Sequence, residues 1–120
     1  IIIVALFLFC KKSGTNETYG LCKVEGTVYL DNQPYAGAEV EYGFAVVRGS
    51  TIGTELVWTA SQIIRTDNNG YYSFSRKQVN DRYDYRVRAK HPIKGYWSEH
   101  FRGTIMGGTT KTHNFSFTSE

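Results

Sequence analysis

Hydrophobic and polar positions divide this chain into three parts. Nine consecutive apolar residues, Ile1 to Phe9, are followed by a polar stretch from Lys11 to Tyr19, and from Leu21 onward short alternating runs are separated by turn residues. After Leu21 no clean 3.6-residue period appears, whereas period-two alternation recurs to the end, which predicts an all-β domain. The first expected strand is Lys23 to Leu30, with Val24, Gly26, Val28 and Leu30 on one face and Glu25, Thr27 and Tyr29 on the other. After an Asp31–Pro34 turn, a second is expected over Ala38 to Val47, its inward set being Ala38, Val40, Tyr42 and Phe44. A loop from Arg48 to Thr54 leads to a third over Glu55 to Arg65, in which Leu56, Trp58 and Ala60 share the core face.

Thr66-Asp67-Asn68-Asn69-Gly70 is the strongest turn signal, because Asn and Gly tolerate the positive φ of a tight hairpin. A fourth strand, Tyr71 to Ser75, leaves it with Tyr72 and Phe74 inward. The fifth, Tyr83 to Ala89, is the clearest half-buried pattern: Tyr83, Tyr85, Val87 and Ala89 point one way, and Asp84, Arg86, Arg88 and Lys90 the other. Pro92 and Gly95 precede a sixth, Tyr96 to Arg102, and Gly107-Gly108 a seventh, Lys111 to Thr118, with Phe115 and Phe117 inward. Seven short strands in about a hundred residues suggest a Greek-key β-sandwich.

Composition agrees with one domain. The 120 residues are 41% hydrophobic and include nine Tyr, seven Phe and two Trp, enough for a core without a metal or disulfide staple. A net charge of +3 falls short of the basic excess of a nucleic-acid binder, so no nucleic-acid partner is expected.

The apolar run Ile1 to Phe9 is too short for a bilayer, which needs about 20 residues. Because no Met precedes Ile1, it reads as the remains of a signal peptide. Leu6-Phe7-Leu8-Phe9-Cys10 resembles a bacterial lipobox, which makes residues 1–10 a truncated lipoprotein signal segment and Cys10 the lipid attachment site. The bulky Leu8 and Phe9 depart from the small residues usual before that Cys. Residues 11–20 then serve as a flexible tether and 21–120 as the folded domain. A buried N-terminal strand is the alternative for the apolar run, and a disulfide with Cys22 the alternative for Cys10.

Four motifs in order resemble the carboxypeptidase regulatory-like domain: Val24-Glu25-Gly26-Thr27-Val28, Gln33-Pro34-Tyr35-Ala36-Gly37-Ala38-Glu39-Val40, Thr66-Asp67-Asn68-Asn69-Gly70-Tyr71-Tyr72-Ser73-Phe74 and Tyr83-Asp84-Tyr85-Arg86-Val87. The resemblance covers residues 23–118 and implies a transthyretin-like, seven-stranded sandwich. It also implies a non-catalytic structural or binding module and, from Bacteroidetes-type examples, an outer-membrane lipoprotein of the bacterial cell envelope. Such a protein would meet the membrane through its lipid anchor and take a glycan or another envelope protein as partner.

Catalytic patterns are weak. His91, His100 and His113 lie on separate segments without the paired spacing of an iron site, so no metal, cofactor or catalytic residue is expected; a metal-dependent enzyme on the same sandwich is the distant alternative. Similarity to Cna-B-type adhesins makes Lys23 and Asn114 a candidate isopeptide pair, but Arg88 stands where the assisting acid belongs. Two contact surfaces remain. Within a basic segment running from Arg76 to Lys94, Arg86, Arg88 and Lys90 alternate along one face as a candidate anionic contact. Tyr71, Tyr96 and Trp97 are candidate glycan or partner contacts of a carbohydrate-binding accessory protein.

Overall fold

Alternation built into the sequence becomes, among the described residues, ten strands in two sheets. The computed structural model describes residues 19–50, 53–79 and 82–120; Cys10, its apolar leader and the tether up to residue 18 lie outside the described residues. The strands are β1 (Tyr19–Leu30), β2 (Gln33–Pro34), β3 (Glu39–Ser50), β4 (Gly53–Trp58), β5 (Gln62–Arg65), β6 (Tyr71–Val79), β7 (Arg82–Ala89), β8 (Phe101–Met106), β9 (Thr110–Thr112) and β10 (Phe115–Phe117). Tyr19 and Gly20, expected in the tether, open β1 by pairing with Val79 and Gln78.

In the first sheet β1 is central. Parallel β9 and β10 lie along one side of it, and antiparallel β6 and β2 along the other. In the second sheet β4 and β5 flank one side of β3, β7 flanks the other, and β8 forms the far edge. The two sheets close on a shared core. Cys22, Val24, Val28, Tyr72, Phe74, Phe115 and Phe117 come from the first, and Val40, Phe44, Tyr85, Val87, Ala89 and Ile105 from the second. Tyr42 stacks on Phe74 across the layers at 3.9 Å between ring centroids, and Phe44 meets Phe74 edge-on at 5.7 Å.

Turn chemistry follows the sequence. Asp31 and Asn32 both take positive φ, 53° and 67°, as a two-residue hairpin between β1 and β2 requires. Asp67 Oδ1 accepts the backbone N–H groups of Asn69 and Tyr71, which shapes the turn into β6. Gly37, with φ of 81°, bends the chain toward β3.

Several expected strands are redrawn. Where a loop over Arg48–Thr54 is expected, β3 runs to Ser50 and β4 starts at Gly53, antiparallel to it. The single strand Glu55–Arg65 is two, because three residues, Thr59–Ser61, lie opposite two, Gly43 and Phe44. That β-bulge reverses which face the following residues occupy. Ile64 therefore packs against the core beside Val40, whereas Trp58, expected in the core, shares the outer face with Ala45.

A second bulge sits at the other edge. Trp97 bridges to Lys90 and Phe101 pairs with Val87, so Ser98–His100 lie opposite Arg88 and Ala89. The sixth strand thus begins at Phe101 rather than Tyr96 and runs on to Met106. Gly103 is tolerated inside it because the Tyr85 ring fills the space: a Cβ there would stand 2.8 Å from the Tyr85 hydroxyl. The seventh expected strand is split into β9 and β10 at His113 and Asn114. There the His113 carbonyl turns inward over Gly26 to accept the Tyr72 hydroxyl at 2.6 Å, and Asn114 Oδ1 accepts the Thr27 N–H at 2.9 Å.

Candidate functional site

The two bulges have a common result: both tryptophans of the chain are on the outer face of the second sheet, among the alternating cations of β7. The Arg86 guanidinium lies 4.4 Å from the Trp58 ring centroid, and that of Arg102, its cross-strand neighbour, 5.9 Å. Further along, Arg88 lies 4.8 Å and the Lys90 ammonium 5.8 Å from the Trp97 ring. Each indole presents its negative π face to a cation, which holds these long side chains flat on the sheet. Trp58 is level with Asp84 and Trp97 with Lys90, six residues along β7, so the stripe spans roughly 20 Å.

Arg86, Arg88 and Lys90 are brought together as the alternation predicts, but their charges are differently engaged. Arg88 Nε donates to Glu41 Oε1 at 2.5 Å, and Lys90 and Arg65 approach Glu39 at 4.0 and 3.3 Å. Arg86 and Arg102 make no such ion pair among the described residues. Asp84, on the same face, has its Oδ1 enclosed and without a hydrogen-bond partner among the described residues. Among the described side chains, five cations, Arg65, Arg86, Arg88, Lys90 and Arg102, thus face three carboxylates, Glu39, Glu41 and Asp84, which leaves the stripe positive. His100 senses this: burial, and then the positive charges of Arg88, Arg86 and Arg102, hold its imidazole below the ordinary value.

Other expected contacts go elsewhere. Tyr71 stands on the first sheet, its hydroxyl donating to Glu25 Oε1 at 2.5 Å, and is not part of a surface with Trp97. Tyr96 is exposed but turns its ring toward His91 and Phe117. Arg76 leaves the basic set altogether, its guanidinium lying over the rings of Phe44 and Tyr83.

The histidines do not converge. His91 is fully buried; its Nδ1 accepts the N–H groups of Ile93 and Lys94, which assigns the proton to Nε2, donating to the Thr118 carbonyl at 2.7 Å. His113 Nε2 contacts the Tyr85 hydroxyl at 2.7 Å while its ring stacks on Phe101. Among the described residues no group of three His, Cys, Asp or Glu side chains could hold a metal ion. Lys23 pairs with Glu25 at 3.4 Å on the outer side of β1, and the Asn114 side chain is engaged by Thr27, so the isopeptide pair is not assembled. The Cys22 sulfur is buried, 3.2 Å from the Arg76 carbonyl oxygen.

Strand reading placed Asp84 on the outer face with the cations of β7, as the register shows, but missed Trp58 and Arg102 as their partners. A signal existed for Arg102, which has the charge to sit on an outer face, but the face of Trp58 depends on a bulge that alternation cannot register. No protein-family model matches the chain, and no curated protein is significantly similar to it.

Proposed function

We propose that this chain is a non-catalytic binding module of a bacterial cell envelope, of the carboxypeptidase regulatory-like, transthyretin-like Greek-key type, held at the membrane through lipid on Cys10. The observation that carries the binding role is the cation-and-indole stripe on the outer face of β3, β4, β7 and β8. Both indoles are half-buried beneath the arginines, and tryptophan and arginine together are the residue types favoured at contact surfaces. Fixed cations and planar rings select a ligand by charge and shape, which suits a recognition surface. The lipobox-like end of the apolar run supports the anchor, and nine residues from Cys10 to Tyr19 reach at most about 30 Å, keeping the domain near the bilayer. A carbohydrate-binding accessory role is the second reading, favoured by the position of Trp97 on this face.

The anchor is tested by intact mass of the full-length gene product from native-type membranes, beside Cys10→Ala. The expected product begins at Cys10 and carries acyl chains that the variant lacks. A soluble, unlipidated chain would overturn the anchor and reopen the Cys10–Cys22 disulfide.

A further inference from the structure

We infer that the open edge of β8 binds an extended acidic segment of a partner protein, which joins the second sheet as an added strand. The inference rests on the binding-module reading and names its partner. β8 is the outermost strand of that sheet, and among the described residues it pairs only with β7.

The ladder fixes which backbone groups of β8 are free. Just past β7, the Lys90 N–H donates to the Glu39 carbonyl at 3.0 Å, while the Ala89 carbonyl accepts the Ser98 N–H at 2.8 Å. By alternation, even-numbered residues of β7 bond toward β3 and odd-numbered ones toward β8, so Phe101, Gly103 and Ile105 are the residues of β8 that bond to β7. Met106 agrees, since its N–H and carbonyl both turn outward to Thr109. Arg102 and Thr104 therefore present N–H and C=O groups to the open side, where a further strand can pair. Natural edges are usually blunted by proline, bulges or several charges. β8 has six residues and no proline, carries one charge, and leaves Phe101 and Met106 42% and 52% exposed.

The two faces of an added strand meet different neighbours. Residues opposite Arg102 and Thr104 project on the outer face, where Arg102 and its cross-strand neighbour Arg86 make no ion pair among the described residues. A carboxylate opposite Arg102 supplies that pair, whereas one opposite Thr104 would stand near Asp84, so the acidic position is the first. Residues opposite Phe101 and Gly103 project inward, over the gap between β8 and β10. There a hollow of about 320 Å³ opens beside Phe101 and Phe115, which suits an apolar side chain, while Glu99 at the same hollow disfavours a second carboxylate. The fitting segment thus alternates, apolar inward and acidic outward. A second copy of this chain fits less well, because pairing two β8 edges brings their positive stripes together.

The test titrates the isotope-labelled full chain with a short synthetic peptide in which valine alternates with threonine and the central polar residue is glutamate. The comparison peptide carries lysine there. Saturable binding of the glutamate peptide is expected, with NMR hydrogen exchange slowed at the amides of Arg102 and Thr104 and little changed at Gly103 and Ile105, which are already bonded to β7. Arg102→Gln should weaken binding about tenfold or more. Thr104→Pro should abolish it yet still fold, since the N–H it removes serves no bond to β7. Lys23→Gln, the same charge change on the opposite sheet, should bind normally, and urea unfolding of each variant separates folding from binding. No saturable binding, equal binding of the lysine peptide, or protection that spares Arg102 and Thr104 would each overturn the edge site. Binding to phosphatidylglycerol vesicles without binding of the peptide would overturn it while leaving the binding module standing. A dimer of the free chain that Thr104→Pro dissociates would overturn the acidic partner and assign the edge to a second copy.

Discussion

Replacing Gly26 by Ala tests how the last strand is seated. Gly26 is on the inward face of β1, and a Cβ built there would stand 1.8 Å from the His113 carbonyl oxygen and 2.9 Å from the Tyr72 ring. The first distance is about 1.2 Å inside the 3.0 Å that real Cβ atoms essentially never cross, so the obstructing backbone must move. It is held by the Tyr72 hydroxyl at 2.6 Å, by the His113 N–H on the Glu25 carbonyl at 2.9 Å, and by the His113 ring on the Tyr85 hydroxyl at 2.7 Å. Losing two of these at about 1 kcal/mol each, on top of about 1–3 kcal/mol for overpacking, comes to about 3–5 kcal/mol. That is a large share of a domain stability of about 5–15 kcal/mol.

Equilibrium urea unfolding reads the loss directly. With a slope of about 1.5 kcal/mol per molar, the Gly26→Ala midpoint should fall by about 2 M or more, or the variant should be unfolded without urea. Gly37→Ala is the control: φ is 81° but nothing lies within 4 Å, so it carries backbone strain alone, about 1–2 kcal/mol. A Gly26→Ala midpoint within about 0.5 M of the parent, or a larger loss in Gly37→Ala, would refute the seating of the His113 carbonyl over Gly26.

Three further predictions follow from the same geometry. Burial first, and then the charge of Lys111, hold the folded pKa of His113 below 6.5; the unfolded chain therefore takes up protons more readily, and stability should be full above about pH 6.5 and decline as pH falls through that value toward the folded one. Urea midpoints from pH 8 to 5 should show this decline, and His113→Gln should flatten it; a steeper decline in the variant would contradict the assignment. In Trp97→Phe, Trp58 is the sole tryptophan, and its fluorescence should be quenched by acrylamide and more strongly by iodide, which Arg86 and Arg102 attract; a blue-shifted, unquenched emission would return Trp58 to the core. His91→Asn should keep an acceptor for the Ile93 and Lys94 amides but lose the link to Thr118, so hydrogen exchange should accelerate near residue 118 more than at 93 and 94. Equal protection at both places would show that the imidazole does not tie the C-terminal residues down.

Much of this architecture is legible in the chain because its cause is local. The inward sets Val24-Gly26-Val28, Val40-Tyr42-Phe44, Tyr72-Phe74, Tyr85-Val87-Ala89 and Phe115-Phe117 follow from strict alternation, since successive side chains on a strand point to opposite faces. The Asp31-Asn32 and Asp67–Gly70 turns follow from the residues that accept positive φ or cap their own backbone. The grouping of Arg86, Arg88 and Lys90 on one face comes from the same period of two.

Interruptions of that period come from partners distant in sequence, so they cannot be read from any one segment. The split at His113 exists because Tyr72, 41 residues away, offers a hydroxyl to its carbonyl and Gly26 leaves room for it. The faces of Trp58 and Trp97 depend on bulges defined against β3 and β7, where one extra residue reverses every side chain beyond it. Local alternation and turn chemistry thus determined that this chain makes an all-β domain and which residues form most of its core. Pairing between distant strands decided where the alternation slips, and through those slips placed both indoles beside the arginines.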